Sequence, residues 1–270
     1  MVELQKKYQI GVRRFGLINW VGAYNLYLKE VKRFLVVWAQ TLLSPLISSL
    51  LFLSVLSLAI GNDRGEVLGY SFISFLAPGL IAMSIIQQSF SHSSSSLMIG
   101  KIQGNLVDTL LAPLSASEVT LAIILAAVTR SIMIAVISIF VFSLIVKITI
   151  FSVIYLFIFG FLGSFILGAI GFCAGLWAEK FDHMATVTNF IITPLSFLSG
   201  VFYSIERLPV LFQSISKINP FFYIIDGFRY GFLGSSDGSI NFGIIYLFLL
   251  SVGMWIFSYC LYKIGYKIKS

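Results

Sequence analysis

The sequence predicts an all-α polytopic membrane protein with six transmembrane helices. Of its 270 residues, 58% are hydrophobic and only 11% are charged, whereas a soluble domain carries about 25% charged residues. The few charges are clustered, and this leaves six apolar windows that are each long enough for a helix to cross a bilayer. The ten-residue alternation of membrane β-barrels is absent, so helices are the expected spanning elements.

The charge-poor windows place the spans near residues 36–60, 71–92, 119–146, 150–177, 184–203 and 242–262. Residues 36–270 then form one transmembrane domain, and residues 1–35 precede it as a tail and an interfacial helix. Residues 17–35 carry apolar side chains at helical spacing, which indicates an amphipathic helix in the membrane interface. That helix is either an anchor or a segment that contacts a gate. Its apolar positions are Leu17, Val21, Tyr24, Leu28, Val31 and Leu35.

The distribution of Lys and Arg predicts the orientation, because six spans put both termini on one side. Twelve of these residues lie on the side of the termini, namely Lys6, Lys7, Arg13, Arg14, Lys29, Lys32, Arg33, Lys101, Lys180, Lys263, Lys267 and Lys269. Five lie on the other side, namely Arg64, Lys147, Arg207, Lys217 and Arg229. The positive-inside rule therefore places both termini in the cytoplasm. The net charge of +7 is then a rim that faces anionic lipid, and we expect no binding to nucleic acid.

The cytoplasmic loop 93–118 contains a predicted short helix over residues 105–113. Asn105 is its expected N-cap, Asp108 suits the helix dipole in its first turn, and Pro113 ends it. Ser115 and Glu118 then fit a capping box that opens the third span. A helix this short is marginal alone in water, so we expect its apolar side to dock on a cytoplasmic partner, with folding back onto its own chain or onto headgroups as the alternative. That side comprises Leu106, Val107, Leu110 and Leu111.

The outer segment 204–237 contains the stretch NPFFYIIDGFRYGFLG at residues 219–234. The stretch is too short and too charged to span, yet too apolar for an ordinary loop. It predicts a reentrant helix or hairpin at the outer interface, interrupted by Pro220 and Gly227. Asp226 and Arg229 have the spacing of a pair along such a helix, and direct contact with a substrate is the alternative.

Two features lie inside the spans. Arg130 is the one charge within the third span; it either faces a polar cavity and meets an anionic substrate, or snorkels or binds carbonyls of neighbouring helices, which is favoured. In the fourth span, Gly160, Ser164 and Gly168 recur every four residues, and 171–175 reads G-x-x-x-G. Such small residues indicate close helix packing within the protomer, or part of a dimer seam.

Signatures of catalytic, cofactor and metal sites are missing. There is no P-loop and no H-E-x-x-H, and the G-x-S-x-G match at 234–238 lacks the strand-to-helix turn of a nucleophile elbow. The cluster of Glu179, Asp182 and His183 is typical of a solvated turn or a partner contact. An ion-coupled secondary transporter would need an acidic residue within a span, and an intramembrane lipid- or sugar-modifying enzyme would need clustered acids or histidines. Both remain as alternatives to the interpretation that follows.

Several segments carry a family resemblance, including KEVKRF at 29–34, QTLLSPLISSLLF at 40–52, FLAPGL at 75–80 and NLVDTLLAPLSASE at 105–118. The most specific are FDHMATVTNFIITPLSFLSGVFYSIERLP at 181–209 and the stretch at 219–234. With them the chain resembles the ABC-2 type permease of ATP-driven exporters, a group that includes drug, nodulation-factor and polysaccharide exporters.

The resemblance implies a permease of the bacterial inner membrane that works as a homodimer with two cytoplasmic ABC ATPase subunits. It makes the 105–113 helix the coupling helix, with Asp108 where many relatives have Glu. It implies no catalytic residue or cofactor on this chain, since ATP and Mg²⁺ would bind the ATPase, and it leaves the exported substrate open.

Overall fold

The computed structural model describes residues 18–60, 66–146 and 148–267. The elements in order are α1 (Trp20–Val36), a π-helical turn (Ala39–Leu43), α2 (Ser44–Ile60), β1 (Glu66–Val67), β2 (Tyr70–Ser71), α3 (Phe72–Ile102), α4 (Leu106–Leu111), α5 (Ala116–Ser143), α6 (Val153–Trp177), α7 (Phe181–Val187), a second π-helical turn (Thr188–Ile192), α8 (Thr193–Leu198), a 3-10 turn (Ile205–Arg207), α9 (Val210–Ile218), α10 (Pro220–Leu233) and α11 (Ile240–Lys263). Leu17, Lys6, Lys7, Arg13, Arg14, Arg64, Lys147 and Lys269, used above, lie outside the described residues.

Five of the described helices are long and apolar enough to cross a membrane: Ala39–Ala59, Phe72–Ile102, Ala116–Ser143, Val153–Trp177 and Ile240–Lys263. The prediction of an all-α polytopic membrane protein is therefore confirmed. The structure adds a hairpin between α2 and α3, in which β1 and β2 are two residues long each. The remaining predicted span, 184–203, corresponds to α7, the second π-helical turn and α8, which follow one another without a break. That segment is not among the five candidates, and the sixth span stays a prediction.

The centre of the bundle is the contact between α3 and α6, and small residues make it close. A Cβ built on Gly171 would lie 2.4 Å from the carbonyl oxygen of Phe90, and one on Gly175 would lie 2.9 Å from that of Ser94. The hydroxyl of Ser89 donates to the carbonyl of Ser164 across the same contact. The predicted packing face of the fourth span thus works within the protomer. The dimer seam, given as the alternative, stays a prediction.

The outer stretch at 219–234 forms α10, which packs against α3, α6 and α11. Twelve of its 14 residues are buried, so it is a core element rather than a surface hairpin. Pro220 occupies the first turn, where its missing N–H costs nothing. Gly227 does not interrupt the helix but brings it close to α6, since a Cβ there would lie 2.2 Å from the ring of Phe159.

Contacts between segments distant in sequence close the helix bundle at both of its ends. At one end Asn19 meets Glu118, and Lys101 at the end of α3 donates to the carbonyl of Ala178 after α6 (3.2 Å). At the other end the hydroxyl of Tyr70 donates to the carbonyl of Leu233. The first end holds the described part of the larger set of positive charges. By the positive-inside rule that end is the predicted cytoplasmic end, and the orientation stays a prediction.

Candidate functional site

A cavity of about 930 Å³ lies beside α3, between α2 and the α7–α8 segment. It extends along α3 from Leu80 to Gln103, which directly follows the helix, a length of about 35 Å at 1.5 Å per residue. Its wall combines hydroxyl, amide, aromatic and guanidinium groups. The lining residues include Arg33, Gln40, Thr41, Ser44, Ser48, Phe52, Leu80, Ser84, Gln87, Gln88, Ser91, Ser95, Arg130, Phe197 and Phe202.

The polar wall of the cavity comes mainly from one stripe on α3. Its members are Ser84, Gln87, Gln88, Ser91 and Ser95, which line the cavity together and recur at helical spacing on one face. The sequence reasoning missed these residues as a site. Their spacing inside an apolar span was a signal that could have found them, because a polar stripe within a spanning helix faces an aqueous cavity or another helix rather than lipid.

Arg130 on α5 reaches this stripe from the side of the bundle core. It is 7% exposed, and its Nη2 donates to Gln88 Oε1 over 2.5 Å. Its Nε has no acceptor among the described residues. Of the two interpretations of this residue, the structure favours the one in which it faces a polar cavity, and contact with carbonyls of neighbouring helices is not found among its described hydrogen bonds.

A buried polar cluster joins α1 to the cavity wall one helical turn further along α3. The Glu30 carboxylate accepts from Arg33 Nε (2.9 Å) and from the Ser96 hydroxyl (2.8 Å). Arg33 Nη2 also donates to the carbonyl of His92 (3.3 Å). The His92 ring is fully buried, meets Phe34 edge-on, and has its Nε2 3.8 Å from Glu30 Oε2. The cluster fixes the end of α1 against α3.

Both π-helical turns border the cavity. Gln40 and Thr41 of the first turn line it, as does Thr193 directly after the second. The Thr41 hydroxyl donates to the carbonyls of Phe34 (2.8 Å) and Val37 (3.1 Å), which supports the irregular passage from α1 to α2. Such π-helical turns occur often at functional sites, and here they re-aim the two helices that flank the cavity.

The predicted 105–113 helix exists as α4, Leu106–Leu111, at the end of the bundle near α1. Asp108 lies in its first turn and the helix stops two residues before Pro113, as predicted. Two details were wrong. Asn105 makes no capping bond but donates to Gln103 Oε1 (3.1 Å). Leu106, expected on the exposed side, is 7% exposed and packs with Leu26 and Leu97.

The remaining apolar residues of α4 are uncovered in the single chain. Val107 is 54% exposed, Leu110 41% and Leu111 79%. Exposed leucines on a two-turn helix with its other side anchored form a small apolar surface. A groove of about 500 Å³ beside it lies between α1 and α4 and is lined by residues that include Asn25, Lys29, Asp108 and Thr109.

Glu118 binds the loop after α4 to the start of α1. The predicted capping box is confirmed, since the Ser115 hydroxyl accepts from Glu118 N (3.3 Å) and Glu118 Oε2 accepts from Ser115 N (2.7 Å). The other carboxylate oxygen accepts from the backbone N–H of Asn19 (2.6 Å). The Asn19 amide in turn donates to the carbonyl of Pro113 (3.0 Å). Thus α1 runs from the α4 loop at its start to the cavity at its end.

Asp226 and Arg229 do not form the predicted pair; this prediction was wrong. Asp226 accepts from the backbone N–H groups of Asp237 and Gly238, each at 2.9 Å. The Arg229 guanidinium donates to the carbonyl of Gly200 (2.6 Å) and lies over the ring of Phe75, 3.7 Å from its centroid. Each charge is therefore taken up by a tertiary partner, and both are buried away from the described cavity.

The cluster predicted as a solvated turn or a partner contact lies after α6. Lys267 Nζ donates to Glu179 over 2.7 Å, and both side chains are exposed. This hydrogen bond lowers the pKa of the Glu179 carboxyl and raises the pKa of the Lys267 amine. Glu179 N also donates to His183 Nδ1 (3.4 Å). The arrangement fits a solvated turn.

Comparison with known proteins gives one consistent picture. The family model described as "ABC-2 type transporter" matches residues 23–233. The chain is 31% identical over 236 residues to the inner membrane transport permease YadH of Escherichia coli (strain K12), which covers 87% of this chain and 92% of that protein. It is 24% identical over 225 residues to nodulation protein J of Rhizobium leguminosarum bv. trifolii, covering 81% and 83% of the two chains.

Proposed function

The chain belongs to the ABC-2 type transporter family, and from that premise we propose that it is the permease of an ATP-driven exporter that couples to a separate cytoplasmic ATPase through α4. The family and the apolar helices make it a multi-pass membrane subunit of an ABC transporter in the bacterial inner membrane. Beyond this, we propose the coupling to the ATPase, the outward direction of transport, the orientation in the membrane and the dimeric state. ATP and Mg²⁺ would bind the ATPase, and this chain would hold no catalytic residue.

The single observation that carries the coupling is the anchored but half-exposed α4. Leu106 and the Asn19–Glu118 contact hold the helix against the bundle, while Val107, Leu110 and Leu111 are left uncovered. Exposed leucines on a fixed support form a surface that is suited to a partner protein. Asp108 at the N-terminal turn adds one acidic group that a basic residue of the ATPase can bind.

A path for movement connects this surface to the cavity. Displacement of α4 by the ATPase would act on Pro113 and Glu118, which both bind Asn19 at the start of α1. The far end of α1 is bound through Arg33 and Glu30 to α3. A rigid helix of 17 residues can carry a small displacement over about 25 Å. In this proposal α1 is a lever as well as an interfacial anchor.

A second copy of the chain would complete the pathway. Gln40, Ser44 and Ser48 line the cavity and are exposed on one face of the first span. Amide and hydroxyl groups in a row are poorly suited to lipid, so this face is better covered by protein. A homodimer that joins two such faces would enclose the two cavities along one axis. Alternating exposure of that enclosed space would move substrate outward.

The test is co-expression with candidate ABC ATPase subunits from the same genome. We expect one of these subunits to co-purify with the permease and its ATPase rate to respond to the permease. Replacing Leu110 and Leu111 together by Ser, or Asp108 by Lys, should abolish co-purification while the permease still inserts and elutes as a folded protein. Ile102→Ser, which removes an equally exposed apolar side chain outside α4 (56% exposed), is the matched control. Co-purification that survives both α4 variants would sink the proposed coupling.

A further inference from the structure

We propose that the cavity beside α3 binds an amphiphile with an anionic headgroup, with Arg130 and Arg33 holding the headgroup and the aromatic end of the cavity holding the apolar chain. This inference rests on the proposed function, since it names the substrate class that the pathway would carry. It depends on three features of the cavity: the position of its two arginines, the charge of its wall, and the separation of its polar and apolar parts.

The two arginines come from different helices, Arg130 from α5 and Arg33 from α1, and they bind positions one turn apart on α3. Arg130 donates to the side chain of Gln88, and Arg33 donates to the backbone carbonyl of His92. Gln88 and His92 are four residues apart on α3, which corresponds to about 6 Å along the axis. Both arginine residues line the cavity. Their spacing suits a group with several acceptor oxygens, such as a phosphate, which can bind both.

The cavity wall carries positive charge without a negative residue in the wall to balance it. No Asp or Glu lines it among the described residues. Glu30 compensates Arg33 from outside the wall, but no carboxylate lies within 4 Å of Arg130 in the described part of the chain. Arg130 is only 7% exposed, and its Nε is without an acceptor there. A buried guanidinium in this condition is costly in a membrane, and an anionic ligand supplies the missing acceptors and charge.

The apolar end lies at the opposite end of the same groove. The hydroxyls of Ser49 and Ser84 meet at 2.9 Å. Phe52 lies one turn beyond Ser49, and its ring is tilted against that of Phe202 with 6.4 Å between ring centroids. Phe197 joins them, with its ring 5.5 Å from that of Phe202. Leu80 lies eight residues before Gln88 on α3, which is about 12 Å away along the axis. A headgroup and an apolar chain therefore find separate walls within one cavity.

The experiment measures binding to the full-length permease in a neutral detergent, by native mass spectrometry, with defined probes. Decyl phosphate is compared with decyl maltoside, decyltrimethylammonium and inorganic phosphate. We expect decyl phosphate to bind with an affinity at least about tenfold higher than the other three, because only it satisfies both walls. Equal binding of decyl phosphate and decyltrimethylammonium would overturn the anionic headgroup. Equal binding of inorganic phosphate would overturn the amphiphile. This comparison uses the wild-type chain and needs no variant.

Variants then locate the site. Arg130→Gln should weaken decyl phosphate at least about tenfold, and Arg130→Lys should recover part of that loss, because a single point charge replaces the guanidinium fork. Lys180→Gln, which removes an exposed cation of the same end of the bundle, should leave binding unchanged. An Arg130→Gln protein that elutes as folded and binds decyl phosphate as the wild type does would overturn the assignment. Because the ATPase is absent, failure here is separate from failure of coupling through α4.

Discussion

Glu118 accepts a hydrogen bond of 2.6 Å from the backbone N–H of Asn19, although the two residues are 99 positions apart in the chain. Through its second oxygen the same carboxylate closes the capping box with Ser115. One side chain thus binds together the start of α1, the loop after α4 and the start of α5. The sequence reveals half of this arrangement, because the capping box is a local pattern and the contact with Asn19 is not.

Replacing Glu118 by Ala should loosen this junction. It leaves the N–H groups of Asn19 and Ser115 without their acceptor, and loss of such caps typically costs about 0.5–2 kcal/mol. We expect a lower melting temperature in detergent and faster proteolytic cleavage between residues 103 and 115, with weaker stimulation of the ATPase. Glu118→Gln keeps the shape and one acceptor oxygen, so its effect should be about half. If cleavage in this loop is unchanged in Glu118→Ala, the junction does not hold the loop.

Gly227 on α10 tests the close packing of that helix, and Gly253 on α11 is its matched control. A methyl group at Gly227 would lie 2.2 Å from the ring of Phe159, which is fully buried, whereas nothing lies within 4 Å of a Cβ at Gly253. Gly227→Ala should therefore destabilise the protein by about 1–3 kcal/mol. Gly253→Ala should be neutral or slightly stabilising, because Ala is the better helix former. Circular dichroism melting of the two variants checks the difference. Equal melting temperatures would contradict the close approach of α10 and α6.

Continuous apolar runs allowed most of the fold to be predicted, because the bilayer requires them wherever a helix crosses. The length of α3 shows where this signal fails. The sequence predicts a loop over residues 93–102, but the helix continues to Ile102. Serine hydroxyls in this part form hydrogen bonds to backbone carbonyls of the same helix. Ser94 donates to the carbonyl of Ser91 (3.3 Å), and Ser95 donates to that of His92 (3.1 Å). Hydroxyls satisfied in this way let a polar stretch remain helical.

The site was less accessible to prediction, because its partners are distant in sequence. The spacing of Asp226 and Arg229 favours a pair on one helix, but each side chain binds a group that is distant in sequence instead. Gly200 lies in a turn with a φ of 81°, and its carbonyl accepts a hydrogen bond from Arg229. The backbone N–H groups of residues 237 and 238 donate to Asp226. In the same way, the sequence marks Arg130 as unusual but does not show that Gln88 lies beside it.

Arg229 should be needed for stability rather than for transport. It is 1% exposed, donates to Gly200 and lies over Phe75, with its Cζ 3.7 Å from the ring centroid. Arg229→Lys keeps the charge but loses the contact of the guanidinium with the ring, and Arg229→Met also leaves the carbonyl of Gly200 without its donor. We expect losses of about 1 kcal/mol and about 2–3 kcal/mol respectively, measured by thermal unfolding. Protein that survives folding should retain full affinity for decyl phosphate, because Arg229 does not line the cavity. A stable Arg229→Met protein would show that the contact is incidental.

The exposed face of α2 should lie against a second copy of the chain. Val55 is 60% exposed on the same helix that presents Ser44 and Ser48, whereas Leu249 is 65% exposed on α11, far along the chain from the cavity wall. In a variant with Cys260 replaced by Ser, Val55→Cys should form a disulfide-linked dimer in membranes under mild oxidation, because symmetry brings like positions near the axis together. Leu249→Cys should not. If Val55→Cys, Leu51→Cys and Leu58→Cys all stay monomeric while Leu249→Cys is crosslinked, the dimer uses α11. The polar row on α2 would then have to face water within a single chain.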